Sequence, residues 1–205
     1  MRSCRTAVLS YDDAAKPLRS SEPGHRARVA IHASCRRVAE LGSLIGHPML
    51  LVTTSIFADH HQFYVFDSNF DHFKDPDLVW TASRSLAYGY LASKRAIYVS
   101  TVASLNLHRL RIFLNEAPVL KYERVFSSDL LITSGVLKIS APANAPEDDV
   151  QIQLPCGAYR VSVCSSAIGV DERVLYPDRD EPMSDEELFT HDDLEYYDLF
   201  VQPHA

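Results

Sequence analysis

The sequence has few of the residues and patterns from which common enzyme sites are built. Its seven glycines are scattered and form neither a phosphate-binding loop nor a Gly-x-Ser-x-Gly nucleophile elbow. No apolar run approaches the roughly 20 residues that a bilayer-spanning helix needs. The four cysteines, Cys4, Cys35, Cys156 and Cys164, lack the close pairing of a zinc site or redox motif. These absences argue against a phosphate-binding loop, a serine hydrolase with a nucleophile elbow and a membrane span, and they indicate reduced thiols in a cytoplasmic protein.

The net charge of -7 is distributed unevenly along the chain. Residues 1–48 hold eight Lys/Arg against four Asp/Glu, and residues 49–205 hold twelve against twenty-three, so the two parts carry about +4 and -11. We therefore predict a poorly ordered basic extension at residues 1–48 and a single domain at residues 49–205. A start codon assigned too far upstream would explain the extension, since Met49 opens the first strand-like run.

The clearest structural pattern lies between Val150 and Cys164. Apolar and polar residues alternate on both sides of Pro155-Cys156-Gly157. Such a period of two around a Pro/Gly break predicts a hairpin of two half-buried antiparallel strands. The last alternating run, Glu195 to Gln202, is predicted to pair with this hairpin.

Further short runs rich in β-branched and aromatic residues precede the hairpin, and little of the chain has a helical period. In one of them Arg109 and Arg111 alternate with Leu110 and Ile112, which predicts one solvent-exposed and one buried face. Seven or eight such strands predict an all-β fold, an antiparallel β-sandwich with little helix. A partly open β-barrel is the alternative.

Two clusters raise the possibility of a metal site. Asp59-His60-His61 is similar to part of a metal-dependent phosphoesterase signature, but the further aspartate and glycine-histidine motifs do not follow. The run from Asp67 to Asp71 has the spacing of a calcium loop without its glycine turn and bidentate glutamate. We expect no bound metal or cofactor. Cys156 in the predicted turn would act as a nucleophile only with a base beside it, and the sequence indicates no such base. We therefore assign no catalytic residue.

The segment from Asp171 to Asp198 is strongly acidic, with twelve Asp/Glu against two arginines. Within it, Ser184 and Glu187 form a capping-box pattern that predicts a short helix. A solvated mobile loop is one interpretation. The other is a protein-binding surface on which carboxylates occupy the positions of nucleic-acid phosphates and dock on a basic partner, with aromatic anchors. The partner-binding residues predicted on this interpretation are Asp178, Asp180, Glu181, Asp185, Glu186, Glu187, Asp192, Asp193, Tyr176 and Tyr196.

The order of these features resembles that of the competence protein J family of DNA-entry nuclease inhibitors and their bacterial relatives. The resemblance covers about residues 50 to 202 and is carried by Gln62 to Val65, Trp80 followed by Ala96 to Thr101, Gly135 to Ile139, the Pro155-x-Gly157-x-Tyr159 turn, and the acidic stretch with a final Tyr197 to Leu199 strand. It implies an all-β domain that binds and inhibits a nuclease and performs no catalysis.

The sequence thus leads to a first hypothesis, a cytoplasmic, bacterial, non-catalytic binding protein of the inhibitor or immunity type. Its acidic surface would cover a basic site on a protein partner such as a nuclease or similar toxin. Direct nucleic-acid binding is not expected, because an acidic surface repels the phosphate backbone, and no membrane partner is expected either. The second hypothesis is a metal-dependent hydrolase that uses Asp59, His60 and His61. A structural domain whose acidic loop only solvates is the third.

Overall fold

A computed structural model describes residues 48–80, 89–103, 107–118, 121–142 and 144–204. The basic extension predicted at residues 1–48 lies outside the described residues except for Pro48, so its lack of order remains a prediction. The domain boundary at residue 49 remains one as well.

The described residues form ten β-strands and two short α-helices. The strands are β1 (Met49–Phe57), β2 (Gln62–Asp67), β3 (Tyr90–Ala92), β4 (Ala96–Ser100), β5 (Leu107–Leu114), β6 (Arg124–Ile132), β7 (Val136–Ser140), β8 (Val150–Gln153), β9 (Gly157–Ser166) and β10 (Tyr196–Pro203). The helices are α1 (Glu172–Leu175) and α2 (Asp185–Thr190), and 3-10 turns lie at Asp59–His61, His72–Lys74, Pro76–Leu78 and Pro146–Asp148. In this part of the chain no helix has the length and apolar character needed to cross a bilayer.

The strands form two five-stranded sheets that pack face to face. Sheet A has the strand order β1-β5-β10-β9-β6, and sheet B has the order β3-β4-β2-β7-β8. The predicted β-sandwich is therefore confirmed over the partly open barrel. One pairing departs from the antiparallel expectation, because β10 runs parallel to β5 on one side while it is antiparallel to β9 on the other.

The main hydrophobic core lies between the two sheets. Phe63 and Ile97 of sheet B and Leu110, Val161 and Leu199 of sheet A belong to it, and all five are fully buried. Their neighbours in sequence point to the opposite face of each sheet, which is why the alternation in the sequence predicted the strands.

The predicted hairpin at Val150 to Cys164 is wrong as a pairing. β8 pairs with β7 in sheet B, whereas β9 pairs with β6 and β10 in sheet A, so the chain crosses between the sheets at residues 154–156. The Tyr159 hydroxyl donates to the carbonyl of Pro155 at 2.7 Å and fixes this crossover. Both segments alternate because each has one face on the shared core. The predicted pairing of the last strand with this region is confirmed, since Leu199 lies opposite Val163.

Candidate functional site

The acidic segment, residues 171–198, leads from the end of β9 into β10 and is folded on its own small apolar core. Met183, Leu188 and Leu194 are buried together, and Leu175 and Tyr176 pack against them. Helix α2 lies against β1 and β5 of sheet A. The carboxylates of this segment are therefore carried on a backbone that is attached to the sandwich.

The capping box predicted at the start of α2 is present. The Ser184 hydroxyl accepts from the backbone N–H of Glu187, and the Glu187 carboxylate accepts from the backbone N–H of Ser184. Arg179 also donates to Glu187 at 2.8 Å. These contacts, the Ser184 amide first and the Arg179 guanidinium second, lower the pKa of Glu187 to about 2. Glu187 therefore stays charged at neutral pH, where a carboxylate in the first turn of a helix is favoured by the helix dipole.

The arginine-bearing face of β5, predicted to be exposed to solvent, is covered by the acidic segment. The Arg109 side chain is almost fully buried, with Nη2 2.6 Å from Oδ1 of Asp192 and Nη1 3.3 Å from the carbonyl oxygen of Phe189. Its guanidinium lies over the Tyr196 ring, 4.4 Å from the centroid. The prediction was wrong because alternation shows which residues share a face, but not whether a segment some 80 residues later covers that face.

Arg111, two residues along the same face, is held by a second carboxylate. Its Nε and Nη2 donate to the two oxygens of the fully buried Asp198 at 2.7 and 2.6 Å. The Tyr122 hydroxyl donates to the same carboxylate at 2.6 Å. The bidentate bond to Asp198 raises the pKa of Arg111. Asp198 therefore belongs to the internal structure of sheet A and does not contribute to a docking surface.

Glu195 is a buried carboxylate that the sequence did not single out. Its oxygens accept from the backbone N–H groups of Val102, Ala103 and Gly169 at 3.0, 2.6 and 2.9 Å, and from the hydroxyl of Tyr197. One side chain thus joins the loops that follow β4 and β9 to the end of the acidic segment. The twelve carboxylates of this segment consequently differ in role.

All eight predicted partner-binding carboxylates are exposed, and the two tyrosines are half-buried. Four carboxylates already have intramolecular partners: Asp185 accepts from Ser55 at 2.7 Å, Asp193 lies 3.0 Å from His191, Glu187 binds Arg179, and Asp192 binds Arg109. The carboxylates of Asp178, Asp180, Glu181 and Glu186 form no hydrogen bond or ion pair with the described residues, although Glu181 lies close enough to Arg179 to act on its charge. Asp178, Asp180 and Glu186 are therefore the charges most available to a partner.

The two tyrosines predicted as anchors are partly engaged as well. Tyr176 packs against the small apolar core, and its hydroxyl lies 3.2 Å from Nδ1 of His191. Tyr196 lies under both arginines of β5, with the Arg111 guanidinium 5.6 Å from its centroid. Each ring therefore has one side fixed to the protein and an edge that reaches solvent.

The clusters considered for metal binding form no metal site among the side chains that the structure describes. Asp59–His61 forms a 3-10 turn in which His60 and His61 are exposed and have positive φ angles. Among the described residues there is no group of three His, Cys, Asp or Glu side chains placed to hold a metal ion. No observation in this part of the chain therefore favours the metal-dependent hydrolase.

Asp67, the first residue of the calcium-like run, is a structural carboxylate. It is fully buried and accepts from the hydroxyl and backbone N–H of Thr133 at 2.6 and 3.2 Å, and from the backbone N–H of Ser134 at 3.0 Å. It also binds the Ser134 hydroxyl and pairs with Arg95. Although burial opposes ionisation, these bonds hold the pKa of Asp67 well below its usual range.

The two cysteines in the described residues are free thiols. Cys156 is exposed, and its Sγ lies 3.4 Å from the carbonyl oxygen of Thr133, a group that cannot act as a base. Cys164 is buried in sheet A, and burial raises the pKa of its thiol to about 12. A thiol with a raised pKa is a poor nucleophile.

No protein-family model and no curated protein sequence matches the chain. Two solved structures resemble it. The crystal structure of ComJ from Bacillus subtilis, described as an inhibitor of the DNA-degrading activity of NucA, matches with a TM-score of 0.55 and 18% sequence identity, over 77% of this chain and 99% of that chain. A structure described as crocagin biosynthetic gene J matches with a TM-score of 0.44 and 13% identity, over 78% of this chain and 99% of that chain. The likeness to ComJ supports the β-sandwich that the strand pattern predicted, and it agrees with the all-β domain that the resemblance to the competence protein J family implied.

Proposed function

We propose that this protein is a non-catalytic inhibitor of the immunity type, whose acidic segment covers a basic site on a nuclease or similar toxin. The observation that carries the proposal is the set of eight exposed carboxylates on a segment attached to sheet A. Its similarity in fold to ComJ supports the same class of partner. Nuclease sites that bind nucleic acid are positively charged, and a fixed array of carboxylates can occupy the positions of the phosphates.

The electrostatics of the segment favour rapid recognition of a basic partner. The cluster is negative over its exposed surface, so it attracts a positive patch over about a Debye length, about 8 Å at physiological salt. Asp178, Asp180 and Glu186 have no internal partner among the described residues. A partner's Lys or Arg can therefore bind them without breaking an existing ion pair. The complex is expected to form faster at low salt than at high salt.

The test uses charge reversal at two of these free carboxylates. Asp180→Lys combined with Glu186→Lys changes the surface without removing the capping box or the Arg109 ion pair. Glu147→Lys combined with Asp148→Lys is the matched control, because both residues are exposed on the 3-10 turn before β8 of sheet B and the net charge changes equally. Each purified protein is mixed with a nuclease captured from the native host or encoded beside this gene, and degradation of plasmid DNA is followed at two salt concentrations.

The expected result is that the wild-type protein and the Glu147/Asp148 variant protect the DNA equally well. The Asp180/Glu186 variant associates at least about tenfold more slowly with the nuclease, so more DNA is degraded after the same mixing time. Equal protection by both variants would place the contact elsewhere on the protein. Failure of the wild-type protein to bind or inhibit the nuclease would contradict the inhibitor function itself.

A further inference from the structure

A second exposed surface lies on the outer face of sheet B, on the opposite side of the sandwich from the acidic segment. Residues 67–80, called here the aromatic loop, follow β2 and contain two consecutive 3-10 turns. His72 is buried under the first turn, with Nδ1 2.9 Å from the Tyr98 hydroxyl, and Leu78 is buried under the second. The Asp75 carboxylate caps the second turn by accepting from the backbone N–H of Asp77 at 2.9 Å. The loop is therefore anchored at both turns.

Phe73 projects from this anchored loop and is 73% exposed. Its ring lies against His72, with centroids 4.1 Å apart and planes inclined by 33°, and meets Tyr64 edge-on at 5.8 Å. With one face on His72 and most of its area exposed, the ring offers its other face to solvent. A large aromatic side chain held on a fixed turn loses little conformational entropy on binding, which is typical of an interface anchor.

The charges around Phe73 are mainly negative. Asp71, Asp75 and Asp77 lie within four residues of Phe73 along the loop, whose one lysine is Lys74, and Lys138 of β7 acts electrostatically on His72 from the sheet. Lys74 pairs with Asp71 at 2.6 Å, but its side chain is 84% exposed, and such surface pairs contribute little and exchange easily. A negatively charged aromatic surface repels nucleic acid and anionic membranes and attracts cationic side chains.

Elsewhere in this protein, aromatic rings that lie near an aspartate bind Lys and Arg side chains. Among the described residues four cations each lie over a ring and pair with an aspartate: Arg95 with Phe70 and Asp67, Arg109 with Tyr196 and Asp192, Arg111 with Phe113 and Asp198, and Lys138 with Phe66 and Asp149. In the part of the chain that the structure describes, no cation lies over the Phe73 ring. Phe73 and the nearby aspartates of the loop therefore provide the ring and the carboxylates of such a group, and among the described residues no cation completes it.

We propose that the aromatic loop is a docking surface for a Lys- or Arg-bearing segment of a protein partner. The cation lies over the open face of Phe73 and pairs with the carboxylate of Asp71 or Asp75, while the exposed Val79 adds apolar contact area. This surface is separate from the acidic segment on sheet A. The proposal therefore goes beyond the inhibitor function and stands or falls independently of it.

The experiment selects partners for this surface directly. A phage-displayed library of random 12-residue peptides is enriched on the immobilised full chain, and each enriched peptide is then tested for binding to the wild type and to the Phe73→Ser variant. Val125→Ser is the matched control, since Val125 is an exposed apolar residue on β6 of sheet A. The only tryptophan of the chain, Trp80, is the last residue of the aromatic loop and packs against the apolar cluster that contains Tyr64 and Leu78. Its fluorescence therefore reports binding there.

The expected peptides carry Lys or Arg next to an apolar residue, bind about tenfold more weakly to Phe73→Ser, and bind equally to Val125→Ser and wild type. They also change the Trp80 fluorescence. Phe73→Leu, which keeps apolar area but loses the ring, is expected to bind with intermediate affinity.

Four outcomes of the peptide selection and of sedimentation would overturn the proposal, and a fifth concerns membranes. They are the absence of any enriched peptide, enriched peptides without a basic residue, peptides that do not distinguish Phe73→Ser from wild type, and Phe73-dependent dimers in sedimentation velocity, which would make a second copy of this chain the occupant. Cosedimentation with phosphatidylcholine vesicles that is lost in Phe73→Ser would instead assign the surface to a membrane. Thermal denaturation of each variant confirms that it is folded, as expected for substitutions at exposed positions.

Discussion

Replacing Glu195 with glutamine is expected to be among the most destabilising single substitutions in the acidic segment. The carboxylate is 2% exposed and accepts hydrogen bonds from three backbone N–H groups and one hydroxyl, so all four of its contacts are with donors. In Glu195→Gln the amide keeps the shape of the side chain, but its NH₂ group takes the place of one oxygen. With NH₂ toward Val102 and Tyr197, the tyrosine hydroxyl can turn to accept from it, but the N–H of Val102 remains buried without a partner. The opposite orientation leaves the N–H groups of both Ala103 and Gly169 unpaired, so at least one bond is lost.

A hydrogen bond to a charged group contributes about 1.5–3 kcal/mol, so the loss of one bond in Glu195→Gln is expected to lower the free energy of unfolding by at least about 1.5–3 kcal/mol. For a domain of this size the melting temperature falls by at least about 3 °C. Glu123→Gln is the matched control. Glu123 also accepts from two backbone N–H groups, those of Ala167 and Ile168 at 2.9 and 3.3 Å, but it is exposed and water can replace it.

The assay is thermal denaturation followed by circular dichroism, together with hydrogen exchange at the amides of Val102, Ala103 and Gly169. In Glu195→Gln these three amides are expected to exchange faster, while Glu123→Gln changes the free energy of unfolding by about 0.5 kcal/mol or less. If both variants melted within about 2 °C of the wild type, the assignment of Glu195 as the link between these loops would be refuted.

Three further outcomes are expected. The pKa of Asp67 is lower in the folded state than in the unfolded chain. Its contribution to stability is therefore present above about pH 4 and is lost as pH falls through the folded pKa. The urea midpoints of the wild type and Asp67→Asn should accordingly converge in acid. Iodoacetamide should label Cys156 in the native protein and Cys164 only after denaturation, as read by peptide mass mapping. Gly89→Ala should lower the free energy of unfolding by about 1–2 kcal/mol in a urea titration, because Gly89 has φ +68° and an added Cβ would collide with Nη1 of Arg124 and disturb its bond to the carbonyl of Ser100. A Gly89→Ala midpoint equal to that of the wild type would contradict the last expectation.

Local alternation predicted most of the strands, seven or eight of the ten, but not which strands pair. The segments on either side of Pro155-Cys156-Gly157 alternate because each has one face on the core, and this is equally true of a hairpin and of a crossover between sheets. The sequence carries no separate signal for the crossover. The capping box at Ser184 was predictable because both of its partners lie within three residues of each other.

The internal roles of the charged residues could not be predicted, because their partners are distant in sequence. Arg109 and Asp192 are 83 positions apart, and Asp67 meets Ser134 across 67 positions. The sequence alone does not distinguish the buried carboxylates of the acidic segment from the exposed ones. The structure separates the structural group, represented by Glu195 and Asp198, from the free group at Asp178, Asp180 and Glu186.

The central position of β10 has a consequence for the order in which the protein folds during synthesis. β10 is the last strand of the described chain, yet it lies between β5 and β9 in the middle of sheet A and is hydrogen-bonded to both. While the ribosome still covers residues 196–203, sheet A can form only as two separate strand pairs, β1 with β5 and β6 with β9. In each pair, the backbone groups on the edge that later binds β10 have no hydrogen-bond partner in the sheet. Sheet A is therefore completed after translation has passed this strand, and a nonsense codon within the acidic segment would remove the centre of the sheet and not merely a terminal strand.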